Sequence, residues 1–128
     1  MDVILDTCAF LFLCLDDPKL SAKAKQAIID PSNRCLLSIA SIWEIAIKTN
    51  AGKLEIDQPF DDFVRYHLTA YDLELIPIEI EHLSRVATFQ QEHRDPFDRM
   101  IIAQGLVLSM PIVTKDSVFE GFGVEVIW

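Results

Sequence analysis

Apolar residues follow two rhythms along this chain, and their alternation outlines the fold. Val3-Ile4-Leu5 is a short, continuous apolar run, the pattern of a strand buried on both faces. An apolar stretch of helical length follows from Ala9 to Leu15 and is stopped by Asp16-Asp17-Pro18. Ser21 then caps a predicted helix over residues 22–29, with Ala24, Ala27 and Ile28 on one side and lysines on the other. Asp30-Pro31-Ser32-Asn33 is a turn, and Cys35-Leu36-Leu37-Ser38 reads as a second buried strand. The next helix, over about residues 41–50, is closed by Gly52. It is apolar all round, which predicts a buried helix. Between Arg34 and Lys48 its Glu44 is the one charge, although Ser41-x-x-Glu44 also fits a capping box.

Pro59 opens a helix with Phe60, Phe63, Val64, His67, Leu68 and Tyr71 at helical spacing, where His67 reads as a packed histidine. Residues 73–78 form a third strand candidate. Residues 79–92 form a helix with Leu83, Val86 and Ala87 facing inward. Pro96 has a preset φ and no donor to waste, so it marks a helix start with Asp95 as N-cap. Asp98 follows three residues after that cap and shares a face with Ile101, Ile102 and Gly105. Pro111-Ile112-Val113-Thr114 and Val124-Glu125-Val126-Ile127 complete the strands. With no repeat or linker, this alternation predicts one α/β domain over residues 1–128, a mostly parallel central sheet flanked by helices.

The chain has 128 residues, of which 51% are apolar, enough for a sizeable core and unlike a disordered tail. Its start lacks a basic signal-peptide region, and no apolar run approaches the ~18 residues of a membrane span, so a cytosolic protein is expected. Cys8, Cys14 and Cys35 form no C-x-x-C pair and lie in apolar segments, which reads as buried free thiols. The net charge of −9 argues against broad electrostatic affinity for nucleic acid. It favours a basic partner or an acidic pocket that needs a metal.

Ligands of parallel sheets sit beyond the carboxyl ends of the strands, where strand order reverses. Asp6 ends the first strand, and Asp116 lies just past the fourth. Glu44 sits early in the helix after the second strand, and Asp98 in the first turn of another helix. In a parallel sheet all four acids fall at one edge, although each alone has a local explanation as cap, turn or loop. Two unit charges ~4 Å apart repel by about 4 kcal/mol at an effective dielectric near 20. Such a cluster calls for a hard divalent cation. All-oxygen donors suit Mg²⁺ or Mn²⁺, and with no Cys or His alongside, zinc is disfavoured. The chemistry that follows is metal-assisted phosphodiester hydrolysis.

Ile4-Leu5-Asp6-Thr7, Ser41-Ile42-Trp43-Glu44-Ile45, the run from Arg94 through Asp95-Pro96-Phe97-Asp98-Arg99 to Gln104, and Val113-Thr114-Lys115-Asp116 together resemble a PIN domain. More narrowly, the chain is similar to VapC-type toxins of bacterial toxin–antitoxin pairs, over essentially its whole length. The resemblance implies a Mg²⁺- or Mn²⁺-dependent endoribonuclease with Asp6, Glu44, Asp98 and Asp116 at the metal-site positions. It implies supporting hydroxyls at Thr7 and Thr114, and a capping or supporting role for Asp95. Cys8 departs from the pattern, where a polar Asn or His is frequent. Family members form homodimers and are inhibited by a cognate antitoxin whose C-terminal segment covers the acidic cleft, and the negative charge here suits a basic inhibitor strand.

Lys48, Lys53, Arg94, Arg99 and Lys115 are candidates to hold RNA, each also readable as a solvated or paired surface charge, Arg99 with Asp95 or Glu92. Two rival readings stand beside the nuclease. One is a Mg²⁺-dependent phospho-acceptor signalling domain using Lys115, which does not require a buried Glu44. The other is a catalytically inactive, partner-binding domain of the same fold.

Overall fold

The computed structural model of the chain describes residues 1–90, 93 and 95–128. Strands β1 (Asp2–Leu5), β2 (Arg34–Ser38), β3 (Leu73–Ile76), β4 (Ile112–Val113) and β5 (Val126–Ile127) form one parallel sheet in the order β3-β2-β1-β4-β5. The chain steps outward from β1 to β3 and then returns to the other side of β1. Strand order therefore reverses between β1 and β4, whose register pairs Ile4 with Ile112 and Leu5 with Val113.

The uninterrupted apolar strands are explained by burial on both faces. Val3, Leu5, Cys35, Leu37, Val113 and Ile127 point into one core layer with Ala9, Phe10, Ala24 and Ile45 from the helices. Ile4, Leu36 and Ile112 point into the other, against Ile101, Ile102, Phe119 and Phe122. Helices α1 (Thr7–Cys14), α2 (Ala22–Ile29), α3 (Ile39–Asn50) and α4 (Phe60–Ala70) contribute to the first layer, and α6 (Pro96–Leu108) to the second. Gly105 lets α6 press onto β4, since a Cβ there would lie 2.8 Å from Ile112 Cδ1. No described helix is long and apolar enough to cross a membrane.

Local signals set several boundaries as expected. The Ser21 hydroxyl accepts from Ala24 N at 3.0 Å at the start of α2, and Gly52 follows α3 with φ +72°. The buried His67 places Nδ1 2.8 Å from the Phe63 carbonyl, a packed histidine. Other expectations need correction. α3 begins at Ile39, before the expected residue 41, capped by Ser38, whose hydroxyl accepts from Ala40 N at 3.1 Å. Ser41 is thus a buried residue inside the helix, and the expected capping box with Glu44 does not form. Nor is α3 buried all round, because Ile39, Trp43 and Ile47 form an exposed stripe, with Trp43 60% exposed.

α5 (Ile80–Ala87) ends before the expected residue 92, and Gln91 and Glu92 lie outside the described residues. It also faces inward differently. His82 is buried, its Nδ1 accepting from Glu79 N at 3.0 Å, while Leu83 is exposed. The three cysteines are free, but only Cys35 is buried as expected, Cys14 being half-buried and Cys8 exposed. A short 3₁₀ helix at Ser117–Phe122, not expected from the pattern, carries Phe119 and Phe122 into the core.

Candidate functional site

Asp6 stands where β1 gives way to α1, beside the reversal of strand order. Its Oδ1 caps α1 by accepting from Ala9 N at 2.8 Å, and its Oδ2 accepts from the Thr114 hydroxyl at 2.6 Å. Thr114 can reach it because the parallel register of β1 and β4 continues one residue past each strand. The same Thr114 oxygen accepts from Asp116 N at 3.0 Å, so one buried hydroxyl ties both acidic turns together. Burial pushes the Asp6 carboxyl up to about 6, against the two hydrogen bonds it accepts and with help from the charges of Glu44 and Asp116.

Glu44 enters from α3, 4% exposed. Its Oε2 accepts from Lys48 Nζ at 2.7 Å, one helical turn on. That contact raises the Lys48 ammonium above its ordinary value. The other oxygen, Oε1, is buried with no hydrogen-bond partner. Orphaned atoms on Thr49 and Gln104 belong to neutral groups, whereas this one belongs to an acid. The first turns of α1 and α3 are joined by the Thr7 hydroxyl, which donates to Ser41 Oγ at 3.0 Å.

The start of α6 supplies the third wall. Asp95 Oδ1 accepts from Phe97 N at 2.9 Å and Asp98 N at 3.3 Å, so Asp95 is the N-cap. Asp98 Oδ2 lies 2.9 Å from His93 Nε2. Burial raises the Asp98 carboxyl to about 6, opposed by that histidine and reinforced by the charges of Asp95, Asp6 and Glu44. Asp116 caps the 3₁₀ helix through Val118 N at 3.0 Å.

Asp6, Glu44, Asp95, Asp98 and Asp116 line one cleft of about 280 Å³, whose walls are completed by Lys48, Lys115, Thr7, Cys8 and Phe12. Although Cys8 as a whole is exposed, partial desolvation of its thiol against the cleft wall and the neighbouring Asp6 charge push that thiol up to about 11, so it is protonated at neutral pH. A larger cavity of about 690 Å³ lies at the opposite edge of the sheet, beside Arg34 and Asp72, away from these acids.

The four predicted acids do not form one equal cluster. Among the described residues, one set of three metal-capable side chains has ligand atoms within 4.8 Å of one another: His93, Asp98 and Asp116. Asp6 and Glu44 line the same cleft but are held by partners of their own, Thr114 and Lys48. The expectation of a site without histidine is therefore overturned by His93. Its sequence signal was its place five residues before Asp98, close enough for the chain to fold back across the Asp95 cap.

Of the candidate RNA-binding cations, Lys115 is exposed on the cleft wall, Lys53 is exposed, and Lys48 is paired with Glu44. Arg99 donates from Nη1 to the His93 carbonyl at 3.1 Å and lies over the Phe89 ring. Arg94 lies outside the described residues.

The model of the PIN domain family matches residues 3–124. This chain belongs to the PIN domain family. Solved structures share its architecture at low identity. The Rickettsia felis VapBC2 structure, bound to a DNA fragment from its promoter, contains a chain that matches with a TM-score of 0.75 and 14% identity, over 98% of this PIN domain and 97% of that chain. VapBC-1 from nontypeable Haemophilus influenzae matches with a TM-score of 0.71 and 16% identity, over 98% and 96%. FitAcB from Neisseria gonorrhoeae matches with 0.65 and 16%, over 97% and 95%. No curated protein matches the sequence.

Proposed function

We propose that this PIN domain is a divalent-metal-dependent endoribonuclease, the VapC-type toxin of a toxin–antitoxin pair. The observation that carries the reading is the unpartnered, buried Oε1 of Glu44, in a cleft where burial already holds Asp6 and Asp98 near 6. A buried acid oxygen without a donor costs free energy that a cation would recover. The donors are carboxylate oxygens with one imidazole beside them, so the residues fit a small divalent cation.

Asp6, Glu44, Asp98 and Asp116 would hold Mg²⁺ or Mn²⁺. When bound, the ion supplies charge neutralisation at phosphate and an acidified water. The chain's own groups prepare the cleft. Thr114 fixes the Asp6 carboxylate and the Asp116 turn, and the Thr7–Ser41 bond locks α1 against α3. Asp95 holds the α6 start so that Asp98 faces the cleft. Lys48 neutralises Glu44 in the metal-free protein, and with the exposed Lys115 it offers RNA phosphates positive charge in an otherwise acidic protein.

The similar VapBC2, VapBC-1 and FitAcB structures motivate the partner, an antitoxin whose basic C-terminal segment covers the cleft. The exposed Ile39, Trp43 and Ile47 stripe supports a homodimer. The compartment is the cytoplasm.

The test is cleavage of RNA oligonucleotides by purified protein with Mg²⁺ or Mn²⁺, with EDTA, and with the Asp6→Asn and Glu44→Gln variants. Metal-dependent cleavage lost in both variants is expected. No cleavage of any RNA with either metal, together with covalent labelling by a small phosphodonor, would replace the nuclease by a phospho-acceptor domain.

A further inference from the structure

We propose that His93 is a nitrogen ligand at the rim of the acidic cleft, acting with Asp98 and Asp116, and that it shifts the centre's preference from Mg²⁺ toward later divalent transition metals. The inference rests on the metal-binding reading above and adds to it a ligand and a selectivity.

The three donor atoms already lie within 4.8 Å of one another. His93 Nε2 and Asp98 Oδ2 are 2.9 Å apart, and two adjacent ligands with bonds of about 2.1 Å to one ion lie roughly 3 Å apart. The imidazole and the carboxylate therefore stand at the separation of neighbouring ligands, and a cation entering between them would take the place of the bond they make to each other. The ring is also held in place. It packs edge-on to Phe119 at 6.5 Å and tilted against Phe122 at 6.4 Å, and its backbone carbonyl accepts from Arg99 Nη1 at 3.1 Å. Asp98 is fixed by the Asp95-capped turn. His67 and His82 are engaged with the backbone elsewhere, so they do not compete for this role.

An independent observation in the same cleft points to a cation, the buried and unpartnered Glu44 Oε1. The consequence for selectivity is chemical. Mg²⁺ takes oxygen donors, whereas imidazole suits ions such as Co²⁺, Ni²⁺ and Zn²⁺, which stand late in the Irving–Williams order of affinity. A site of oxygens alone shows that order more weakly and suits Mg²⁺ or Mn²⁺.

A histidine that only orients Asp98 through the hydrogen bond predicts something else, a loss of affinity for every metal alike. Calorimetric titration of the metal-free full chain with Co²⁺ and with Mg²⁺ separates the two roles, using wild type, His93→Ala and His93→Gln. The Gln variant keeps an amide able to donate to Asp98 while removing the imidazole. The ratio of Co²⁺ to Mg²⁺ affinity should fall about tenfold or more in both variants, and the visible absorption of bound Co²⁺ should change.

The wild-type protein gives a reading that needs no variant. A hyperfine-shifted imidazole N–H proton should be seen by NMR on loading Co²⁺. A ratio unchanged in the variants, or no shifted imidazole proton, would overturn the assignment while leaving the metal-binding reading intact. A wild-type chain that binds neither ion would overturn both.

Discussion

Replacing Asp6 by Asn should stabilise the metal-free protein at neutral pH and destabilise it in acid. The Asp6 carboxyl sits at about 6, raised from 3.8 chiefly by burial. A raised carboxyl favours the fold below its unfolded value, and that advantage drains away as pH climbs from about 4 through 6. Roughly two units at 1.36 kcal/mol each put the cost of the charged form at about 3 kcal/mol above that range. Asn caps helices as well as Asp and can still accept from Ala9 N. It gives up the ideal acceptor for the Thr114 hydroxyl, a loss of about 1 kcal/mol.

The net expectation is a gain of about 2 kcal/mol at pH 7.5 and a loss of about 1 kcal/mol near pH 4. At about 3–5 °C per kcal/mol for a chain of this size, Tm should rise by roughly 6–10 °C at the higher pH. Calorimetry in EDTA from pH 4 to 8 reads the crossing directly. Saturating Mn²⁺ should reverse the order, since about 2.7 kcal/mol accrues to the wild type at 100 times Kd. A variant that melts below wild type in EDTA at pH 7.5, or a gap that does not change with pH, would refute the burial argument.

Asp95→Ser and Asp98→Ser should behave in opposite ways. The serine hydroxyl in the first variant keeps a capping oxygen at the start of α6, so cleavage and Tm should stay near wild type. Asp98→Ser should abolish cleavage while melting higher in EDTA at neutral pH, since the buried charge is gone. An Asp95→Ser variant that is folded but inactive would place that acid in the metal site. Gly105→Ala should cost about 1–3 kcal/mol in urea unfolding, because the new methyl would meet Ile112 at 2.8 Å and Val124 at 3.0 Å.

Several features were legible in the sequence because their causes are local. Ser21 beside an amphipathic run determined the α2 start, and Asp95 before Pro96 determined the α6 start, since a cap and a fixed φ act within one turn. The unbroken run of Val3, Ile4 and Leu5 announced a strand with both faces covered, and the strand–helix alternation announced a parallel sheet with Asp6, Glu44, Asp98 and Asp116 toward one edge.

Tertiary structure decided what periodicity cannot carry. Ser38 and Ser41 offer the same capping chemistry one turn apart. Ser38 is the cap because β2 runs on to that residue, where it pairs with Ile76, and Ser41 is taken instead by Thr7. His82 and Leu83 are neighbours on α5, and the polar one is buried because the Glu79 amide is there to meet its ring. The spacing of Ile39, Trp43 and Ile47 says that they share a face, but not that this face stays largely exposed, with only the Phe97 ring set edge-on against Trp43. The division of the acids is of the same kind. Whether a carboxylate meets Thr114, Lys48 or His93 depends on which loop the sheet brings beside it, a contact across up to 108 residues that no local pattern encodes.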